Sequence, residues 1–388
     1  MEDLVQDIER ARQYSRTKER LGLFGTLIGL LFGSLFLLSG SGRKVARLTL
    51  PRRGSGVRSR AAFTTTLVTG SWLAGLPLAY LNGYIVEHRF GLSRQGRSGW
   101  LTDQLKGQAI GLAFAVPLTE GLYWIIGRFR HWWLVVTLVT IPLTTLIAQL
   151  FPVLIAPRFN EYTPLEDEDL TERLRKLAAR TGVEVAGVMT MDMSRRTSKA
   201  NAFFAGIGPT RRIVLADTLV EKFEPAEIEV IVAHEIAHQV HRDLWRFIAL
   251  GSVFTLATSF VSDRVLRGVL RRRGRMLVGT RSIADIRALP ALGFAFSVVS
   301  LLLTPLQLAY SRDLERRADA FALALTRDAD AFISAMRKLA ATNLADPSPS
   351  RLRVWFLYSH PSISERIARA EASRPIDHHH DAGEPVDD

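Results

Sequence analysis

Residues 132–156 read WWLVVTLVTIPLTTLIAQLFPVLIA, a run without one charged side chain. As an α-helix it exceeds the about 20 residues that a bilayer core requires. Five more stretches, roughly 21–41, 62–86, 108–127, 244–266 and 288–310, are almost as free of charge. One such stretch could be the buried helix of a large soluble protein, but six exceed what the remaining polar segments could wrap. The expectation is a mainly α membrane protein with about six transmembrane helices. Small residues after the first run, Ser39, Gly40, Ser41 and Gly42, imitate a signal peptide. The acidic head before it (Glu2, Asp3, Asp7, Glu9) and the long run Leu21 to Leu38 favour a span instead.

A net charge of +12 would suggest nucleic acid in a soluble chain, but the basic residues crowd at the ends of the apolar stretches. Arg43, Lys44, Arg47, Arg52, Arg53, Arg58 and Arg60 fill the first loop, and Arg264, Arg267, Arg271, Arg272, Arg273 and Arg275 follow the fifth stretch. Anionic headgroups are their natural partners there, so the lipid bilayer is expected as a partner and nucleic acid is not. Zero cysteines exclude disulfides, thiol nucleophiles and thiolate metal sites.

The apolar pattern divides the chain into an N-terminal membrane region with four spans (1–156), a polar segment (157–243), two further spans (244–310), a second polar segment (311–375) and a polar, disordered tail (376–388) holding His378, His379 and His380. Residues 166–181 predict a helix, with acids at its start, a Leu170, Leu174, Leu177 stripe and a stop at Gly182. Val185 to Met193, Ala200 to Gly206 and Arg211 to Ala216 read as short strands. Pro225 suits the first turn of a helix expected to run through Asp243 into the fifth span.

That helix carries His234-Glu235-Ile236-Ala237-His238. Residues four apart share a helical face, so both imidazoles can reach one Zn²⁺, with Glu235 beside them to take a proton from a water. The uncharged flanks suit a packed interior, where such groups are costly without a partner. A third ligand is needed, and Glu315 in Ser311-Arg312-Asp313-Leu314-Glu315-Arg316-Arg317-Ala318-Asp319 is the best candidate. Asp319, one helical turn on, would orient a ligating histidine. Taken alone, Glu315 would read as a solvated side chain among arginines.

The chain resembles the membrane zinc metalloproteases of the CAAX prenyl protease 1 type, gluzincins with the HExxH pattern. The matching residues are Ile231 to Val240, Glu315 to Asp319, Asn201-Ala202-Phe203-Phe204-Ala205-Gly206, Tyr358-Ser359-His360-Pro361 with Arg366, and Glu87-His88-Arg89-Phe90-Gly91-Leu92. The resemblance implies a small α+β zincin-like protease domain built from the two polar segments, and one Zn²⁺ per chain held by His234, His238 and Glu315. It implies Glu235 as general base and then acid, Asp319 as the partner of a ligating histidine, and His360 and Arg366 as stabilisers of the oxyanion. Asn201, Ala202 and Phe203 would lie on an edge strand that binds an extended peptide.

Members of this type carry seven membrane helices around a water-filled chamber, so the first of the seven is expected to be missing here. Glu120, Asn82 and Gln149 are candidates to line such a chamber, with interhelix hydrogen bonds as the alternative for Asn82 and Gln149. The family implies a cytoplasm-facing protease, in the plasma membrane of a prokaryote or the endoplasmic reticulum of a eukaryote. The arginine-rich loops 42–61 and 264–287 would then lie on the opposite side, against the positive-inside rule. The expected substrate is a peptide or protein, lipidated at a prenylated C-terminus or drawn from membrane quality control. The competing reading is a transporter or receptor with a structural or regulatory metal site.

Overall fold

The computed structural model describes residues 2–51, 56–206 and 208–374. The tail 376–388, with its three histidines, and Arg52 and Arg53 of the first basic loop lie outside the described residues. The helices are α1 (Glu2–Leu38), α2 (Ser41–Thr49), α3 (Val57–Tyr80), α4 (Val86–Arg89), α5 (Arg97–Arg128), α6 (Trp132–Leu150), α7 (Glu168–Ala179), α8 (Asp217–Lys222), α9 (Pro225–Val240), α10 (Asp243–Leu277), α11 (Leu289–Thr326), α12 (Ala329–Asn343), α13 (Arg351–Leu357) and α14 (Ile363–Ala372).

Among the described residues, five helical runs are long and apolar enough to cross a membrane: Gln6–Leu38, Arg97–Arg128, Trp132–Leu150, Asp243–Leu277 and Ile286–Thr326. The sixth expected stretch, 62–86, forms α3 and a π-helical turn, Leu81–Ile85. Its Thr64, Thr65, Thr66, Thr69, Gly70, Ser71 and Gly75 dilute the apolar character, which is why the count by length and composition is five. Leu27, Leu138 and Leu302 are 65%, 66% and 73% exposed, so the helices turn apolar side chains outward, where lipid is the compatible solvent.

α11 is one uninterrupted helix of 38 residues, about 57 Å long, and it passes through 310 and 311 without a break. The membrane run and the Glu315 segment therefore share one continuous helix. The expected continuous helix across Asp243 is broken: α9 ends at Val240, Arg242 is left-handed at φ 55°, and α10 starts at Asp243. α1 reaches back over the polar segments. Tyr14 Oη and Lys18 Nζ both donate to Glu87, Lys199 pairs with the same carboxylate, and Glu19 accepts from Arg353 and Tyr358.

The sheet has four strands, β1 (Tyr162–Pro164), β2 (Gly187–Met191), β3 (Ala202–Ala205) and β4 (Arg212–Ala216), in the order β1-β2-β4-β3. β2 and β4 are parallel, and both edges are antiparallel. β1, absent from the sequence reading, is three residues ending in proline, too short for a period of two to register. α7 begins where Asp167 accepts from Leu170 N–H, and its Leu170, Leu174 and Leu177 are buried. Gly182, at φ 72°, ends this element. Leu174, Ile213, Leu215, Leu219, Ile228, Ile236 and Phe332 form a core fully withdrawn from solvent, each contributing about 1.5–3 kcal/mol. That core fixes α9 against the sheet. Of the polar residues expected along the spans, Glu120 pairs with Arg60 at 2.6 Å, the backbone carbonyl of Asn82 accepts from Lys18 Nζ while its side-chain Oδ1 is buried without a hydrogen-bond partner among the described residues, and Gln149 is exposed.

Candidate metal centre

Local sequence explains why α9 starts where it does. Pro225 occupies the first turn, Glu224 N–H donates to Glu227 Oε2 at 2.8 Å, and the two glutamates complete a capping box. Ile228, Val232, Ala233, Ile236 and Ala237 then bury one face in the core. The neighbouring face carries His234, which is buried, and His238, which is half-buried.

Their Nε2 atoms are 3.3 Å apart. Glu315 Oε2 lies 3.1 Å from His234 Nε2, and Glu315 Oε1 lies 3.7 Å from His238 Nε2. Tetrahedral ligands at about 2.0–2.1 Å from an ion sit about 3.3 Å from one another, so the three side chains already have the spacing of a filled site. Glu315 Oε2 is buried and makes no hydrogen bond among the described residues. Two imidazoles and an orphaned carboxylate oxygen suit a divalent transition metal.

The other ring nitrogens are occupied. His234 Nδ1 donates to Asp319 Oδ1 at 2.9 Å, and His238 Nδ1 donates to Asp243 Oδ2 at 2.8 Å, leaving each Nε2 lone pair aimed at the centre. Arg366, buried, donates to both Asp319 oxygens, at 2.9 and 2.6 Å, and comes within 3.5 Å of His234 Nδ1. Before a metal binds, burial opposes charging His234, but the carboxylates of Asp319 and Glu315 outweigh it and hold the imidazole up at about 9, so a metal takes the Nε2 position by displacing its proton. Burial raises the Glu235 carboxyl above its ordinary value, against the lowering pull of His234 and His238.

Asp243 went unnoticed in the sequence. The left-handed Arg242 is what turns the next residue back toward His238, and nothing in the letters announces that conformation. Arg312 and Arg316 were missed too. They stand with Glu315 and Asp319 at i, i+3, i+4 and i+7 of α11, one face of a helix, a spacing that could have exposed them. Arg312 donates to the carbonyls of Val354 and Tyr358, and Arg316 to Glu365. This places His360, whose Nε2 is 3.4 Å from Glu315 Oε2 while its side chain stays 57% exposed.

A cleft of about 340 Å³ runs past the site, lined by Asn201, Ala202, Glu235, Met336 and His360 among others. β3 is an edge of the sheet. Asn201 O accepts from Ala216 N–H, so antiparallel alternation turns the amide groups of Ala202 and Phe204 to the open side.

Residues 164–374, more than half of the chain, match the model of peptidase family M48. The chain belongs to peptidase family M48. Residues 5–161 also match the family model described as CAAX prenyl protease N-terminal, five membrane helices. Similar proteins include the uncharacterized metalloprotease YhfN of Bacillus subtilis, 31% identical over 96% of this chain and 87% of that protein. CAAX prenyl protease 1 of Saccharomyces cerevisiae is 29% identical over 95% of this chain and 86% of its own length. The crystal structure of S. mikatae Ste24p superposes with a TM-score of 0.83 at 25% identity, covering 94% of this chain and 89% of that one. Membership in M48, with five membrane-capable helices, makes the chain an integral-membrane metallopeptidase, as the resemblance implied.

Proposed function

We propose that this M48 chain is a zinc endopeptidase in which His234, His238 and Glu315 hold one Zn²⁺ per chain and Glu235 moves the protons. The supporting observation is the convergence of three donors at ligand spacing with a raised carboxyl beside them. When bound there, the ion would supply Lewis acidity, to polarise the scissile carbonyl and lower the pKa of the attacking water. Glu235 accepts that water's proton and passes it to the leaving amine, a task for which a carboxyl raised toward neutrality is better matched. The substrate lies extended in the cleft, paired with the open edge of β3 at Ala202 and Phe204, with Asn201 and Phe203 beside it. His360 donates to the oxyanion. Arg366 acts through Asp319, holding the carboxylate that orients His234.

The working protease unit is assembled from 157–243 and 311–375, with 244–310 as the membrane insertion between them. It faces the cytoplasm, as the family implies. The substrate class is a peptide near a lipidated C-terminus; relatives named CAAX prenyl protease 1 support it. The mechanism is tested with detergent-purified protein and a farnesylated peptide set against its unmodified twin, with a chelator control. Glu235→Gln should retain the metal and lose about 10³-fold in kcat. An undiminished Glu235→Gln enzyme refutes the proton-transfer role, and equal cleavage of both peptides refutes the lipidated substrate.

A further inference from the structure

A second cavity, of about 1020 Å³, lies at the far end of the long helices. α10 begins at Asp243, beside His238, and runs 35 residues before its last turn reaches this cavity, about 50 Å away. The walls carry five arginines, Arg43 and Arg47 of α2, Arg60 of α3, Arg275 of α10 and Arg287 before α11, against one carboxylate, Asp285. Asp285 is taken by Arg287, and Arg60 is paired with Glu120. Arg43, Arg47 and Arg275 have no carboxylate partner among the described residues.

One further donor and one buried N–H of the arginines point to a ligand. Among the described residues, the hydroxyl of Tyr123, 6% exposed, has no hydrogen-bond partner, and Arg43 Nε is likewise buried and unpartnered. Buried donors without acceptors are costly, and an anion with several oxygens can satisfy a guanidinium and a phenol together. The walls are firm: Tyr123 packs with Ala46, Phe63 and Ile286, and the end of α10 is tied by Val278 and Gly279 N–H groups donating to Gly274 O. The rim is apolar. Trp124 lines the cavity at 65% exposure, and α2 buries Gly42 and Ala46 while leaving Leu48 86% exposed, as an interfacial helix does.

We propose that this cavity binds a phosphate-bearing anion, its phosphate held by Arg43, Arg275 and the Tyr123 hydroxyl. The chemistry is shared by the headgroup of an anionic phospholipid and by free phosphate. The interfacial rim favours the lipid. A bound lipid would also give the arginines of loops 42–61 and 264–287 a partner on whichever side of the membrane they lie.

The test uses the full chain in a neutral detergent, titrated separately with short-chain phosphatidylglycerol, short-chain phosphatidylcholine and inorganic phosphate, with binding read by thermophoresis. Phosphatidylglycerol should bind, phosphatidylcholine should not, and Arg43→Gln with Arg275→Gln should weaken binding at least about tenfold, while Arg43→Lys with Arg275→Lys retains part of it. Tyr123→Phe should weaken it less. Inorganic phosphate binding as tightly as phosphatidylglycerol supports the site and assigns it to the free anion. If the double glutamine variant does not fold, Arg275→Gln alone replaces it, with at least about a threefold loss expected. Equal binding of the choline lipid, no binding of either anion by the wild type, or unchanged affinity in the folded variant overturns the proposal.

Discussion

The two ends of the long helices solve opposite electrostatic problems. At the metal end, negative and positive groups are matched within a few ångströms: His234 with Asp319 and Arg366, His238 with Asp243 and Arg246. Among the described residues of that cluster one oxygen is left over, Glu315 Oε2. At the other end, three arginines face a cavity whose one carboxylate, Asp285, is taken by Arg287, so that among the described residues no acid pairs with them, and a buried phenol joins them. A site short of one cation and a site short of one anion can be distinguished by what they leave unpaired, before any ligand is seen. Burial enforces the pairing at the metal end, because an ionised group withdrawn from water must find a partner or change its protonation state, whereas at the cavity Arg47 and Arg275 are exposed and only Arg43 Nε and the Tyr123 hydroxyl are withdrawn.

The largest effect that would break the comparison lies in the carboxylates behind the histidines. Asp319→Asn and Asp243→Asn should each lower metal affinity about 10–100-fold, measured by competition with a chelator of known strength. If only Asp319→Asn has an effect, the two histidines are not held by equivalent devices and the symmetry described here fails. Both variants should leave phosphatidylglycerol binding at the far cavity unchanged.

Much of the metal end was readable in the chain because its geometry is helical. Positions 234 and 238 share a face by the arithmetic of 3.6 residues per turn, and the same arithmetic links Glu315 to Asp319. Asp243 was not readable, since it depends on one left-handed residue, Arg242, with neither glycine nor asparagine to advertise it. The 38-residue α11 was read as a span followed by a separate segment, because hydropathy changes at 310 while the helix does not. The threonines of α3 dilute the apolar character of the stretch 62–86, which the sequence reads as a span, and β1 is too short to carry a period. The basic cavity was visible only as composition. Its arginines were assigned to lipid headgroups in general, and only the fold gathers residues 43, 60, 123 and 275 around one volume.

A smaller effect sharpens the metal-end description through its packing. Burial raises the Glu227 carboxyl, but hydrogen bonds from Lys338, Ser334 and the Glu224 N–H outweigh it and hold the group below its ordinary value. A depressed folded-state pKa contributes stability that is present above the unfolded value and lost as pH falls through the folded one. Thermal unfolding in detergent should therefore show an acid destabilisation that begins near the ordinary carboxylate value of 4.5 and deepens below it. In Glu227→Gln that acid slope should flatten, and the variant should be about 1 kcal/mol less stable at neutral pH, a modest figure because Lys338 is partly exposed. An unchanged acid slope would show that the pair between α9 and α12 is not what titrates.

The central claim is that two imidazoles of α9 and a carboxylate of α11 converge on one ion. X-ray absorption at the zinc edge of the purified full chain, run beside metal analysis of Glu315→Ala, tests it most directly. The account predicts about one zinc per chain, a first shell of two histidine nitrogens and carboxylate oxygen at about 2.0–2.2 Å, and loss of most of the metal in the variant. A Glu315→Ala protein that keeps its full zinc content with an unaltered spectrum would contradict it.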